Sequence, residues 1–435
     1  MRVERLAIGA DPEAAAAQAR AMAPGGASVA DAVTALVTAV RDGGDAALRE
    51  LVARHDGGDG GPVRLTADEL AMPLAPDVEA GLHTAIANVM FVATAAIGDD
   101  QEVTLPQGQR IVLREVPVRR AGVYVPGGRV PLPSTLVMGV VTARAAGVEE
   151  VCVATPPPVH PVIRGAATLL GVTEVYAMGG AHAVAALAYG TEEVGRVDVI
   201  CGPGNLYSQE AKRQVSGSVG IDGFYGPSDV LVIADGTADP RLIALDLLAQ
   251  GEHGPETVVA ATSDDPALLD AVAEQVAELA ADRPTSDPAG IALADAPSMN
   301  VALAFAEAFA PEHLELVGPA AERLAPRVRA AGAIFVGRTG ATAFGDYVAG
   351  SNHCLPTNGA ARFASGLSPR VFRRRVSQVH LEDAVEPLAV AGAALARAEG
   401  LPVHAESMEA RTRQATQSPA NDRAKPGHVV ENSHP

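Results

Sequence analysis

The sequence predicts an α/β protein with doubly wound parallel sheets, and two observations support this fold class. Between about Ala121 and Asp235, short unbroken apolar runs alternate with glycine or proline turns and helical stretches. Strands buried on both faces have such runs, and their repetition with intervening helices implies right-handed crossovers in a parallel sheet. The length of 435 residues, 48% of them hydrophobic, allows a large core and favours two or three domains. The strands predicted in this region are 122–125, 151–154, 174–178, 197–201 and 230–234.

Helical patterns precede and follow this region. Near the N-terminus, Ser28 is expected to cap an amphipathic helix, and Gly43-Gly44 to end it before Asp45 caps another. We expect these helices to pack on a later sheet. The elements predicted downstream are a helix at 241–249, a strand at 257–262, a helix at 266–281, a strand at 333–336 and a helix at 381–399.

These elements suggest a chain of several parts. The expected organisation is an N-terminal arm (1–25), a discontinuous first α/β domain (26–118 with 236–372), a second α/β domain (119–235), a C-terminal helical domain (373–413) and a polar tail (414–435). The tail is rich in polar residues and proline, so we expect it to be loosely held.

Charge and composition exclude several classes of function. A net charge of -19 opposes broad contact with nucleic acid or an anionic membrane. Neither of the two lysines, Lys212 and Lys425, follows the glycine pattern of a P-loop. Cys152, Cys201 and Cys354 form no C-x-x-C pair and are expected to be structural. The first residues lack the apolar core of a signal peptide, so we expect a cytoplasmic protein.

Glycine turns near strand ends are the first candidate ligand site. Residues 202–205, Gly-Pro-Gly-Asn, follow an apolar strand and precede a helix, so their N–H groups can face a dinucleotide phosphate. A plain strand-to-helix turn explains the same residues equally well. Gly127-Gly128, Gly179-Gly180 and Gly226-Pro227-Ser228 are expected to lie just beyond other strands, which marks the carboxyl edge of the sheet as a ligand crevice.

Histidines near acidic or amide side chains are the second candidate. Gln250 and His253, three residues apart at a predicted helix end, can point to one metal ion, although a helix cap explains them too. Glu312-His313 suits general acid/base work but equally a surface turn. Asp346, His353 and His404 lie in polar, glycine-containing segments, and their spacing alone establishes no metal site.

Seven segments, taken together and in order, resemble the histidinol dehydrogenase family, and the resemblance extends from the N-terminal helices to about Arg411. The matching segments are VYVPGG (123–128), GPGN (202–205), EAKRQV (210–215), GPS (226–228), QGEHG (250–254), PEHLE (311–315) and GDY (345–347) with the trailing Asn352-His353. The resemblance implies two incomplete Rossmann-like domains with smaller helical N- and C-terminal parts, and a homodimer that exchanges its small domains and shares its active sites.

The resemblance also implies the activity and the site. The family oxidises L-histidinol through the aldehyde to L-histidine, the last steps of histidine biosynthesis, with one Zn(II) per subunit and NAD as co-substrate. Zinc ligands would be Gln250, His253, Asp346 and His404, the last from the other subunit. His313 would be the base and Glu312 would activate water. The implied substrate contacts are Ser228, His353 and Glu399 together with His313 and the zinc ligands, and the implied NAD contacts are Tyr124, His182 and Asn205.

Two segments depart from the usual family pattern. His182 stands where a glutamine is expected, and Phe224-Tyr225 stand ahead of Pro227-Ser228, which predicts two aromatic side chains beside the cleft. A relative that oxidises another small alcohol, such as dihydroxypropane sulfonate, is therefore an alternative. A zinc hydrolase that uses Glu312 and a non-catalytic binding protein are further hypotheses. Production of NADH would exclude both of these.

Overall fold

The computed structural model describes residues 2–23, 28–127, 130–284, 286, 288 and 290–415. Gly128 and, from residue 416 onward, the expected polar tail lie outside the described residues. The strands are β1 (Val3–Ala7), β2 (Gln101–Thr104), β3 (Arg110–Pro117), β4 (Arg120–Tyr124), β5 (Glu150–Thr155), β6 (Val175–Ala177), β7 (Val199–Cys201), β8 (Gly220–Ile221), β9 (Asp229–Ala234), β10 (Val258–Ser263), β11 (Gly290–Asp295), β12 (His313–Val317), β13 (Ala333–Val336) and β14 (Arg373–His380).

Helices occupy most of the segments between the strands. They are α1 (Pro12–Arg20), α2 (Ala30–His55), α3 (Ala67–Leu70), α4 (Pro76–Ala95), α5 (Pro133–Ala145), α6 (Pro161–Leu169), α7 (Gly180–Tyr189), α8 (Leu206–Val215), α9 (Pro240–Gly251), α10 (Pro266–Ala280), α11 (Met299–Phe309), α12 (Pro319–Glu322), α13 (Thr342–Tyr347), α14 (Val385–Ala398) and α15 (Pro402–Ala415). The chain forms two compact units, which are Met1–Ile97 with Pro117–Arg373 and Gly98–Val116 with Arg374–Pro435.

The first unit contains a five-stranded parallel sheet in the order β6-β5-β4-β7-β8. Numbered along the chain, this order is 3-2-1-4-5, that of a Rossmann-like half sheet. The predicted apolar runs form its strands because helices cover both faces and the strands are buried. Cys152 and Cys201 lie inside β5 and β7, and all three cysteines are free and buried, as expected of structural residues.

The same unit contains a second parallel sheet of six strands, in the order β1-β11-β10-β9-β12-β13. From β9 onward its strands again follow the 3-2-1-4-5 order, and β1 is added at the edge beside β11. Two sheets of the same order confirm the predicted fold class of two incomplete Rossmann-like, doubly wound domains.

The domain boundaries differ from those expected. The run 230–234 was assigned to the domain 119–235, but β9 is a central strand of the six-stranded sheet. The expected N-terminal arm instead supplies β1 to that sheet and α1, which packs near α11. Helix α2, expected in the first α/β domain, packs on the five-stranded sheet. An apolar run indicates a buried strand but does not state which of two similar sheets it joins.

The segment α2 consists of two helices that meet at a kink. Gly44 has a non-helical backbone there (φ 55°, ψ -142°), so the first helix ends at Gly43-Gly44 as expected. The carboxylate of Asp45, which was expected to cap the second helix, accepts a hydrogen bond at 3.2 Å from the N–H of Glu193, a residue far away in the sequence. The expected packing of this segment on a later sheet is confirmed, because Val33, Val37 and Val40 belong to the core beneath β4 and β5.

Helix α4 is long and apolar enough, by length and composition alone, to cross a membrane. Core helices of globular proteins pass the same test, and Leu82, Ala85 and Val89 of α4 are buried in the core that also contains α5. Its outer face exposes Phe91 and Val92, which are 79% and 47% exposed. We therefore treat α4 as a core helix with an apolar outer face.

The second unit combines a small sheet with a helical pair. Its strands follow the order β14-β3-β2, and β2 pairs antiparallel with β3. Helices α14 and α15 pack through Ala393, Ala396 and Ala405, and Arg397 forms an ion pair with Glu409 at 2.8 Å. Helices α14 and α15 fall largely within the segment 373–413 that is expected to be helical, but this compact unit also includes the strands from 98–116, which were not expected.

Candidate active site

Five candidate residues gather at the amino edge of the six-stranded sheet. Ser228 directly precedes β9, Glu312 and His313 lie at the start of β12, and Gln250 and His253 lie at the end of α9. A crossover helix runs antiparallel to the strands it joins, so the C-terminus of α9 returns to this edge. The expectation that residues 226–228 follow a strand end is wrong, because they lead into the amino end of β9.

Glu312 is held by its neighbours on β9. The hydroxyl of Ser228 donates a hydrogen bond to Oε2 of Glu312, which also accepts the N–H of Asp229 at 3.1 Å. In return, the N–H of Glu312 donates to Oδ1 of Asp229 at 2.7 Å. Burial raises the pKa of Glu312 to about 7, against the opposing effect of His313. This carboxyl group can therefore gain and lose a proton near neutral pH.

His313 is buried beside two carboxylates. Its Nδ1 lies 3.3 Å from the carbonyl oxygen of Asp229 and 3.7 Å from Oε2 of Glu312. Its Nε2 lies 3.6 Å from Oδ1 of Asp346 and has no hydrogen-bond partner among the described residues. Burial alone would lower the pKa of His313, but the charges of Glu312 and Asp346 outweigh it and raise the pKa to about 9.

Asp346 and His353 form the opposite wall of this cluster. Nδ1 of His353 lies 2.8 Å from the carbonyl oxygen of Asp346, and its Nε2 lies 3.1 Å from Oγ1 of Thr135 in α5. Burial lowers the pKa of His353. Burial disfavours ionised Asp346, but the positive charge of His313 outweighs it and holds the pKa of Asp346 below its usual value.

Gln250 and His253 reach the cluster from α9. Gln250 is buried, and its Nε2 donates a hydrogen bond to Oγ of Ser228 at 2.5 Å. His253 is exposed, with Nδ1 3.2 Å from the carbonyl oxygen of Gln250. That contact resembles the helix cap considered from the sequence.

The donor chemistry of this cluster fits a borderline metal ion such as zinc. An amide oxygen from Gln250, an imidazole nitrogen from His253 and a carboxylate from Asp346 are all groups that zinc accepts. Within the described residues, however, no three His, Cys, Asp or Glu side chains are already arranged as a metal site. These three donors also leave a tetrahedral ion one ligand short.

Two of the predicted site residues belong to the second unit. Glu399 is the C-cap of α14, and His404 lies in the first turn of α15. Both are exposed.

The cofactor candidates lie at the carboxyl edge of the five-stranded sheet, as predicted for such sheets. Tyr124 ends β4, and its hydroxyl accepts a hydrogen bond from the N–H of Gly180 at 3.0 Å. Burial raises the pKa of Tyr124 to about 12, so this side chain is a neutral phenol. Asn205 caps α8 by accepting the N–H groups of Tyr207 and Ser208, each at 3.1 Å.

His182 is buried in this edge rather than open to it. It is 2% exposed, and its Nε2 lies 2.8 Å from Oδ2 of Asp56, the residue that ends α2. The same carboxylate oxygen accepts the N–H of Gly179 at 2.7 Å. In this arrangement His182 supports the glycine turn ahead of α7 through Asp56.

A buried ion pair supports the neighbouring turn at 202–205. Nζ of Lys212 donates to Oδ1 of Asp222 at 2.7 Å and to the carbonyl oxygen of Gly202 at 2.5 Å. The other oxygen of Asp222 accepts the N–H of Gly202 and the hydroxyl of Tyr225. Tyr225 is thus buried against this pair, and of the two aromatic residues expected beside the cleft only Phe224 is exposed.

Sequence reasoning missed several polar residues that hold the cluster together. Asp229 orders Glu312, Thr135 contacts His353, and Glu315 accepts the N–H of Thr342. Asp229 and Glu315 did leave a signal, since each is an acid within or beside an apolar strand. Such an acid is rarely buried unless it is paired.

Two parallel sheets in Rossmann order and a buried acid–imidazole pair at a sheet edge define an oxidoreductase of the dinucleotide-dependent class. The profile of the histidinol dehydrogenase family matches residues 21–412. The chain belongs to that family, whose members are NAD-dependent oxidoreductases.

Relatives and a solved structure agree with this assignment. Histidinol dehydrogenase of Thermus thermophilus is 44% identical over 393 residues, which are 88% of this chain and 95% of the relative. That of Gluconobacter oxydans is 41% identical over 399 residues, covering 88% and 93%. The crystal structure of histidinol dehydrogenase from Elizabethkingia anophelis superposes with a TM-score of 0.88 at 28% identity, covering 96% of this chain and 99% of that one. The resemblance stated from the sequence is confirmed.

Proposed function

We propose that this protein oxidises L-histidinol to L-histidine through histidinaldehyde, with two molecules of NAD consumed in turn, in the last steps of histidine biosynthesis. Conversion of a primary alcohol to an acid removes four electrons, so the aldehyde must stay bound between the two oxidations. The observation that carries the proposal is the buried His313. Its Nε2 has no hydrogen-bond partner among the described residues and lies beside Asp346, while its Nδ1 lies beside Glu312.

His313 is the proposed base. Above its raised pKa the ring is neutral. The hydrogen bond from Nδ1 to the carbonyl oxygen of Asp229 then keeps the remaining proton on Nδ1, which leaves Nε2 to accept the proton of the substrate hydroxyl. Glu312 and Asp346 both raise the pKa of this imidazole. A cation bound by Asp346 would offset the charge of that carboxylate and so reduce its effect on the pKa of His313. A positioned base typically contributes about 100- to 10,000-fold to the rate.

Glu312 is the proposed group that activates water for the second oxidation. Its pKa near 7 lets it accept a proton from water as the water adds to the aldehyde. Ser228 and Asp229 hold one carboxylate oxygen, Oε2, in place during this step. His313 then acts again on the resulting diol.

Zinc is the proposed cofactor, one ion per subunit, with Gln250, His253, Asp346 and His404 as its ligands. When bound, it supplies an anchor for the nitrogen atoms of the substrate and keeps the aldehyde from leaving. Ser228, His353 and Glu399 are the proposed remaining substrate contacts. NAD would bind at the carboxyl edge of the five-stranded sheet, near Tyr124, His182 and Asn205.

We further propose a cytoplasmic homodimer in which His404 comes from the partner chain. The first unit supports this with an apolar surface, since Phe91, Val92, Phe344 and Tyr347 are each between 47% and 79% exposed. Exposed apolar patches of this kind typically mark protein contacts. In the second unit, Val390 and Val403 are also exposed, at 72% and 71%.

The first test is formation of NADH by purified, zinc-loaded protein with L-histidinol. We expect two NADH per histidinol, loss of turnover on removal of zinc by a chelator, and recovery on its return. Dihydroxypropane sulfonate and simple alcohols are the comparison substrates. Turnover of one of these without turnover of histidinol would contradict the proposed substrate, and no NADH with any alcohol would contradict the reaction.

Two variants separate the proposed roles of base and ligand. His313→Gln should lower turnover while the zinc content stays at one ion per subunit. His253→Ala should lose zinc. Unchanged turnover in the first variant would contradict the assignment of His313 as the base. Full zinc content in the second would contradict the assignment of His253 as a ligand.

Mixing two inactive variants tests the shared site. His253→Ala and His404→Ala, unfolded together and refolded, form mixed dimers that have one intact site only if the ligand comes from the partner. A random mixture should then recover about one quarter of the wild-type activity. The double variant is the control, and no recovery would show that each chain supplies all its own ligands.

A further inference from the structure

Glu315 is a buried acid in the middle of β12 that the proposed reaction does not use. It is 1% exposed and follows His313 by two residues, so both side chains point to the same face of the sheet. Val230 and Val232 of β9 stand beside them on that face, which α9 covers. A carboxyl group enclosed by such apolar neighbours is costly unless polar partners hold it.

The partners of Glu315 come from two other elements that carry site residues. Its Oε1 accepts the N–H of Thr342, the first residue of α13, at 2.9 Å. The carboxyl group of Asp246 in α9 lies within hydrogen-bonding reach of Glu315. Oε2 of Glu315 is buried and accepts no other hydrogen bond from the described residues.

Each partner is in register with proposed zinc ligands. Asp346 lies four residues after Thr342 in α13, about one helical turn. Gln250 and His253 follow Asp246 by four and seven residues and share its face of α9. Glu315 therefore contacts the two elements that carry the three ligands, while its own strand carries the base.

We propose that Glu315 is a positioning residue which, by sharing one proton with Asp246 and accepting the N–H of Thr342, holds α9 and α13 at the spacing the metal needs. Two carboxyl groups this close in an apolar setting cannot both stay ionised, so one proton between them forms a hydrogen bond. The inference rests on the proposed function, because positioning matters only if these elements bind a metal. The contacts of Glu315 exist without metal, however, so an experiment on the metal-free protein tests the positioning role separately from the proposed function.

The decisive measurement is backbone hydrogen exchange in the metal-free protein. Glu315→Leu removes both contacts, and exchange of the amides in 342–347 should become about tenfold faster or more, as expected when a buried charge-assisted hydrogen bond is lost. Glu315→Gln should exchange like the wild type, because its amide oxygen still accepts from Thr342 and its amide nitrogen donates to Asp246. Unchanged exchange in Glu315→Leu would overturn the inference.

Two further variants keep the test decisive. Leu316→Ala, on the opposite face of β12, is the control for general loosening and should leave exchange in 342–347 unchanged relative to the rest of the sheet. If Glu315→Leu does not fold, Thr342→Pro replaces it. Proline is tolerated at the first position of a helix, and this variant removes the N–H that Glu315 accepts together with the buried side chain of Thr342. Wild-type exchange in the proline variant would equally contradict the proposal.

Metal binding supplies the second readout. With zinc affinity measured by chelator competition, Glu315→Leu and Asp246→Leu should bind zinc about tenfold more weakly or worse, in the range typical for loss of a supporting contact, and Glu315→Gln should restore it. A wild-type protein that binds no zinc would contradict the proposed function and leave the exchange result standing. If the wild type and Glu315→Leu bind zinc with equal affinity, only the positioning role of Glu315 is contradicted.

Discussion

Replacement of Lys212 by methionine should destabilise the protein through the turn at 202–205. Lys212 and Asp222 have side chains 1% and 0% exposed, and Nζ also donates to the carbonyl oxygen of Gly202. Methionine keeps the length of the buried stem but leaves the charge of Asp222 without its cation. Loss of one member of a buried ion pair costs about 3–5 kcal/mol.

The lower end of this range is expected because Asp222 retains two donors. Its Oδ2 still accepts the N–H of Gly202 at 2.6 Å and the hydroxyl of Tyr225 at 2.9 Å. With an unfolding entropy of about 2 cal/mol/K per residue, a loss of about 3 kcal/mol should lower the melting temperature by about 3–4 °C. Scanning calorimetry or thermal circular dichroism measures this shift directly.

Two comparisons make the measurement specific. Arg213→Met, at the next position, removes an exposed arginine that pairs with Glu210, and it should leave the melting temperature unchanged within error. The double variant Lys212→Met/Asp222→Asn should recover much of the loss, because no unpaired charge remains buried. Equal shifts for Lys212→Met and Arg213→Met, or no recovery in the double variant, would refute the reasoning.

Three further predictions concern other parts of the first unit. Asp56→Ala should raise the KM for NAD by about tenfold, since it frees Gly179 and His182 at the cofactor edge, and leave zinc content unchanged; an unaltered KM would contradict a role for this turn in binding. Ser228→Ala should lower kcat, because Glu312 and Gln250 both lose their hydrogen bond to this hydroxyl. Steady-state kinetics with histidinol measures this change, and a wild-type kcat would show that the hydroxyl does not contribute to turnover. The hydrogen bond from Arg120 holds the pKa of Glu174 below its usual value, so this pair stabilises the fold above about pH 4.5 and its contribution disappears as the pH falls through the lowered pKa. The difference in melting temperature between wild type and Glu174→Ala should therefore shrink between pH 6 and more acidic buffers, whereas a constant difference would indicate a purely steric effect.

The individual elements of both sheets could largely be predicted from the chain. Buried parallel strands require unbroken apolar runs, and β4, β5, β7, β9 and β10 all coincide with predicted runs. Short strands with mixed patterns, such as β2 and β3, were missed because they are exposed or half-buried and carry no such run. Membership of a sheet was also beyond the pattern, since two sheets of identical strand order accept the same kind of strand.

The candidate site, too, could be predicted from the sequence only in part. The segments that match the family predict Glu312, His313, Gln250, His253 and Asp346 as site residues. The first four lie at the amino edge of the six-stranded sheet, and Asp346 of α13 lies beside His313. Their spacing along the chain carried no such information, because they come from a strand, a helix end and a separate short helix.

By itself, the sequence determined the family, the fold class and the chemical groups available for catalysis, because rare segments and buried apolar runs are local properties of the chain. Only the tertiary structure decided which groups are enclosed and paired. The carbonyl of Asp229 directs Nδ1 of His313, and Asp246 meets Glu315 across the gap between α9 and β12. Burial and pairing depend on contacts between residues far apart along the chain, 84 positions for Asp229 and His313 and 218 for Thr135 and His353. These contacts set the protonation and orientation of each group.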